Sequence, residues 1–133
     1  METHLNERCT EVIKNYSSSV LAYIGDAVLE LYVRRRISGD GNVTVSVLNK
    51  RALQYVTAVR QSEAVARLLE HLTDMEKEVY KRGRNTKTRS VPKSAGIAEY
   101  HKATGLEALF GFLALTEQNE RAAELFEKAF PEE

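Results

Sequence analysis

Val20–Val33 reads VLAYIGDAVLELYV, fourteen residues in which only Asp26 and Glu30 are strongly polar. That length makes about four turns of α-helix with apolar side chains around nearly the whole circumference, so a largely buried helix is expected. A carboxylate in such a helix costs several kcal/mol unless it is paired, hydrogen-bonded or bound to a metal. Glu30 has a cation one turn on, Arg34. Asp26 has none, because the positions three and four residues away hold Ala22, Tyr23, Leu29 and Glu30. Asp26 is therefore a candidate site residue.

A chain of 133 residues is long enough for one domain with a core of its own. Its 43% hydrophobic and 29% charged residues are ordinary for a globular protein and argue against disorder. No apolar run reaches the roughly 20 residues that cross a bilayer. The opening METHLNERCTEV lacks the charged-then-apolar pattern of a signal peptide. A single cysteine, Cys9, excludes an internal disulfide and an all-cysteine metal site, which fits a reducing cytoplasm. Formal net charge is zero, yet six basic residues and no acid lie between Lys81 and Lys93, leaving 13 basic and 19 acidic residues elsewhere. A neutral chain with one concentrated basic segment suggests a local anionic partner.

The rest of the chain reads as helix. Ser17, Ser18 and Ser19 offer N-caps for the Val20–Val33 helix, which runs on toward Ile37 through Arg34-Arg35-Arg36, charges that complement a helix C-terminus. Ser38–Asn42 is a loop. Apolar residues recur at helical spacing from Val45 to Leu72, too long for one globular helix, so a break is expected near Gln61-Ser62. Val43–Val47 is β-branched enough for a short strand, although one strand makes no sheet. Thr73 and Glu76 form a capping-box pair opening a helix that ends near Gly83. Arg84–Lys93 has no apolar periodicity and reads as an exposed loop. Ser94 can cap the next helix, where Ala103–Leu113 (ATGLEALFGFL) is apolar on almost every side and Glu107 is the only charge. Glu117–Ala129 is an amphipathic helix closing the core through Leu125 and Phe126. His71 and His101 are expected on helix surfaces and His4 in a frayed terminus.

Two apolar helices thus carry one orphan carboxylate each. Small residues flank both acids (Gly25 and Ala27; Gly105, Ala108 and Gly111), which lets a backbone or a ligand approach closely. Either acid alone reads equally well as a buried group satisfied by caps or tyrosines. If the two helices pack together, Asp26 and Glu107 can share a hard cation such as Mg²⁺, which takes carboxylates and keeps several waters. Such an ion beside a basic loop suits phosphodiester hydrolysis.

At these residues the chain resembles the ribonuclease III family. Ile24–Leu31 (IGDAVLEL) is similar at eight consecutive positions to the signature helix of its endonuclease domain, and Ala103–Gly111 to its second acidic helix. Val79–Asn85 (VYKRGRN) resembles the basic turn of the small bacterial branch, Mini-ribonuclease III, which consists of the endonuclease domain alone. The resemblance spans residues 15–128. It implies an all-α, ribonuclease III endonuclease-domain-like helical bundle, homodimeric, with one domain over residues 1–133 and no separate double-stranded-RNA-binding domain. It implies Mg²⁺ held by Asp26 and Glu107 as the catalytic residues, and cleavage of double-stranded RNA to 5′-phosphate products in the maturation of large-subunit (23S) ribosomal RNA precursors. Lys81, Arg82, Arg84, Asn85, Lys87 and Arg89 would hold the RNA. Tyr23 occupies the position of an aromatic that inserts into the partner subunit. Where the larger family has a glutamate and an aspartate this chain has Ala22 and Thr104, as the small branch does. The alternative is a non-catalytic RNA-binding subunit that retains the fold. The expected setting is cytoplasmic, with no membrane.

Overall fold

The computed structural model describes residues 2–86 and 96–132. Its elements are α1 (Glu2–Asn15), α2 (Ser18–Ile37), α3 (Val45–Val56), α4 (Ala58–Leu68), α5 (Asp74–Arg84), α6 (Ile97–Leu115) and α7 (Asn119–Ala129), with one 3-10 turn over Leu69–His71. The fold is all-α, as expected.

Helix α6 is the axis of the bundle. Its middle, Ala103 to Leu113, is buried at every position but Glu107, and Leu106, Leu109, Phe110 and Leu113 are wholly enclosed. Helix α2 crosses it in backbone contact. A Cβ on Gly25 would stand 1.5 Å from the Glu107 carbonyl oxygen, and one on Gly111 would stand 1.9 Å from that of Leu21. No side chain fits between them, so glycine is the only residue that permits this crossing. A second close approach seats α5: a Cβ on Gly83 would meet the Ala108 methyl at 2.6 Å, and one on Gly105 would meet the Tyr80 ring at 2.6 Å.

Ser17 caps α2 through the Val20 amide, and Thr73 with Glu76 forms the expected capping box. Glu76 does more than cap. It is 4% exposed and takes Arg121 Nε and Nη2 at 2.9 and 2.8 Å, so α5 is pinned to α7. The arginine triplet divides its labour. Arg34 donates to Glu30 at 2.7 Å, Arg35 is exposed, and Arg36 lies 4.6 Å from the Phe126 ring centroid and pairs with Glu127 at 2.6 Å.

Several expectations are corrected. Val43–Val47 forms no strand, because the Thr44 hydroxyl accepts from the Val47 amide and starts α3. The break in the long apolar stretch is at Thr57, whose extended backbone (φ −72°, ψ 150°) ends α3 while its hydroxyl caps α4 through Arg60. His4 lies in α1, which packs by burying Cys9 and Val12. Helix α7 starts at Asn119, two residues later than expected: Glu117, at φ 57°, closes a Schellman motif in which Gln118 N–H bonds Leu113 O at 2.9 Å. Helix α6 is capped by Gly96 without a side-chain bond, and Ser94 falls outside the described residues.

The largest correction concerns α2. Only one stripe of it is buried: Leu21, Ala22, Gly25, Leu29, Val33 and Ile37. Val20, Tyr23 and Leu31 stand 43%, 82% and 59% exposed. Among the described residues α2 packs mainly on α6, and none of them covers Val20, Tyr23 or Leu31 on its outer face. Among the same residues, no helix is long and apolar enough to cross a membrane.

Candidate active site

The Gly25–Gly111 crossing builds the site. Gly25 touches the backbone of Glu107, so the next residue along α2, Asp26, emerges beside the Glu107 side chain. The two carboxyl groups line the same cleft, and Asp26 is near enough to raise the Glu107 carboxyl. The expectation that Asp26 is itself buried is wrong: it is exposed at the edge of the crossing, and Glu107 is the half-buried partner. Burial first, and then the hydrogen bond and negative charge of Asp26, push Glu107 from the ordinary 4.5 up to about 8. Two acids forced together without a neutralising cation hold a proton, or a cation from solution, in place of one.

The pair opens on a cleft of about 690 Å³ between α2, α3, α4 and α6. Glu30, Arg34 and Gln61 also reach it, and Leu29, Val33 and Leu48 form an apolar wall. Among the described residues, no group of three or more His, Cys, Asp or Glu side chains is placed to hold a metal. Ala22 faces the core and the Thr104 hydroxyl donates to Tyr100 O at 3.0 Å, so neither position adds an oxygen to the pair. His101, expected at the surface, is half-buried with its Nδ1 enclosed.

The basic residues are not equivalent. Lys81 and Asn85 are exposed at the end of α5. Arg82 is half-buried and donates to Ile13 O at 3.3 Å, which closes the end of α1. Arg84 lies over the Tyr80 ring, 5.8 Å from its centroid. The Thr86 and Ser18 hydroxyls are 2.6 Å apart, tying the root of the basic segment to the start of α2. Lys87 and Arg89 lie outside the described residues.

Residues 19–118 match the Ribonuclease III domain family. The chain belongs to the ribonuclease III family. Within it the chain is 46% identical to Mini-ribonuclease 3 of Symbiobacterium thermophilum over 82% of this chain and 84% of the relative. It is 41% identical to that of Thermoanaerobacter sp. over 88% and 82%. The crystal structure of a Fusobacterium nucleatum protein superposes with a TM-score of 0.79 at 31% identity, covering 87% of this chain and 89% of that one. The ribonuclease III match runs through α2, the α2–α6 crossing and both acids, and the chain is an endoribonuclease.

The sequence singles out both acids of the cleft but not the cleft-lining Gln61, which marked only a helix break. The signal was available: Gln61, Ala64, Val65 and Leu68 fall on one helical stripe, and the first of them is polar.

Proposed function

We propose that the chain is a magnesium-dependent, homodimeric endonuclease for double-stranded RNA, leaving 5′-phosphate ends and acting on precursors of large-subunit (23S) ribosomal RNA. One observation carries the chemistry: Asp26 and Glu107 are held side by side by a glycine-to-glycine helix crossing, at the mouth of a cleft, with Glu107 pushed up to about 8. A fold that wanted only packing would put an apolar residue at position 107, where its neighbours on α6 are all buried. Two carboxylates suit Mg²⁺, which binds through one or two of them and keeps its remaining waters. Such an ion, when bound, makes hydroxide available at neutral pH and offsets charge gathering on phosphorus.

The remaining roles fall to the chain itself. Asp26 and Glu107 would hold the ion, and the α2–α6 contact fixes their separation. Exposed Lys81 and Asn85, with Arg84 and the Lys87 and Arg89 that follow, would grip phosphates and 2′-hydroxyls. Arg82 would position that segment through its bond to Ile13. The bare apolar face of α2 around Tyr23 would be covered by a second copy, and two sites related by a two-fold axis would then cut opposite strands of one duplex. The ribosomal substrate follows the likeness to Mini-ribonuclease III. Incubating a long RNA duplex with the protein in Mg²⁺, and again with a chelator, tests the reading. Cleavage in the first and none in the second is expected, and intact duplex in both would overturn it.

A further inference from the structure

Among the polar side chains lining the cleft that the proposed chemistry leaves without a task, Gln61 is the buried one. Gln61 is only 9% exposed and lines the cleft together with Asp26 and Glu107. It sits on the inward stripe of α4, whose other members, Ala64, Val65 and Leu68, are apolar and 0–2% exposed. Its amide finds no hydrogen-bond partner among the described residues and keeps an opening to the cleft. An amide that bonds nothing in the fold adds nothing to the packing of this stripe, which leucine or methionine would fill better.

The chemistry of the neighbours says what an amide can do there. A lysine or arginine at this position would pair with Asp26 and Glu107 and compete for the carboxylates. An acid would add to their repulsion and drive away a phosphate. A neutral amide gives N–H donors to a phosphate oxygen without taking hold of the acids. We propose that Gln61 is a substrate-binding residue of the cleft, its amide donating to a phosphate oxygen of the RNA strand that lies against Asp26 and Glu107. This rests on the reading of the chain as a nuclease for double-stranded RNA.

Gln61→Met keeps the length of the side chain and removes the donors, and Gln61→Glu keeps the shape and replaces donors with charge. Cleavage of a long RNA duplex in Mg²⁺ at RNA concentrations well below saturation, the thermal midpoint and the sedimentation coefficient are measured for both variants and the wild type. Loss of a hydrogen bond to a charged group predicts a roughly tenfold to hundredfold fall in rate for Gln61→Met and a larger one for Gln61→Glu. The midpoint of Gln61→Met stays level or rises, because the amide bonds nothing in the fold and methionine suits an otherwise apolar stripe. A wild-type rate in Gln61→Met overturns the assignment. So does a midpoint that falls together with the rate, which would make Gln61 structural, or a shift in sedimentation, which would give its amide to a second copy. A wild type that leaves the duplex intact instead overturns the nuclease reading on which the assignment rests.

Discussion

A single methyl group at Gly25 would stand 1.5 Å from the Glu107 carbonyl oxygen, too close for backbone to yield without moving a helix. Gly25→Ala should therefore push α2 from α6, with an overpacking cost of about 1–3 kcal/mol or more, and separate the two acids. Thermal melting and duplex cleavage are both expected to suffer. A variant with wild-type melting and wild-type cleavage would show that the crossing does not position the pair. Glu107 carries the pH dependence. Its folded value of about 8 lies above the ordinary 4.5, so the native state favours the protonated form. The stability this contributes is fully present below pH about 4.5 and is lost as pH rises through about 8. In chelator, the midpoint of the wild type should fall across that window, whereas Glu107→Gln should stay flatter. Mg²⁺ should raise the midpoint more at the alkaline end, where the pair is charged. Equal stabilisation by Mg²⁺ at both ends would separate the ion from Glu107.

Among the elements, the α5–α7 junction depends on one ion pair. Burial alone would raise the Glu76 carboxyl, but the Arg121 guanidinium and the Thr73 amide hold it below its ordinary value. That contribution to stability is present above the ordinary 4.5 and is lost as pH falls through the lowered value, the opposite limb from Glu107. Arg121→Met leaves a carboxylate only 4% exposed without its partner and should cost about 3 kcal/mol, somewhat less where solvent reaches it. Chemical denaturation checks this, and a change under about 0.5 kcal/mol would mean that the pair is no better than a surface one. This junction was half legible in the sequence: Thr73 and Glu76 declare the capping box by local spacing, whereas Arg121 is distant in the chain. The same distinction runs through the fold. Helices α2 and α6 announce themselves by apolar density, and their acids stand out against it. Thr57 did not, because an extended residue that ends one helix and caps the next leaves the apolar period almost unbroken. Nor did the one-sidedness of α2, since a helix apolar all round is the same string whether its cover comes from its own chain or from another. The site was legible as two residues. Their pairing was legible only as a condition on the two helices packing together, because it depends on Gly25 meeting Gly111 across the fold.

For the whole molecule, the outer face of α2 is the feature a lone chain leaves unexplained. Tyr23, Val20 and Leu31 are exposed there beside Asp26, and large exposed apolar side chains in one patch mark a contact surface. A second copy on this face would set two Asp26–Glu107 pairs in fixed relation. Tyr23→Asp is expected to shift sedimentation toward the monomer and to turn coordinated double-strand cuts into single nicks. A wild type that sediments as a fully active monomer at micromolar concentration would remove the dimer from the account. Whatever the oligomeric state, we propose that Asp26 and Glu107 perform the cleavage. Asp26→Asn and Glu107→Gln preserve size and polarity, and each removes like-charge repulsion, so both should fold at least as stably as the wild type. The deciding measurement is the cleavage rate of a long RNA duplex at saturating RNA and Mg²⁺ for these two variants. Both variants are expected to bind the duplex and neither to cut it. A wild-type rate from either folded variant would contradict that proposal.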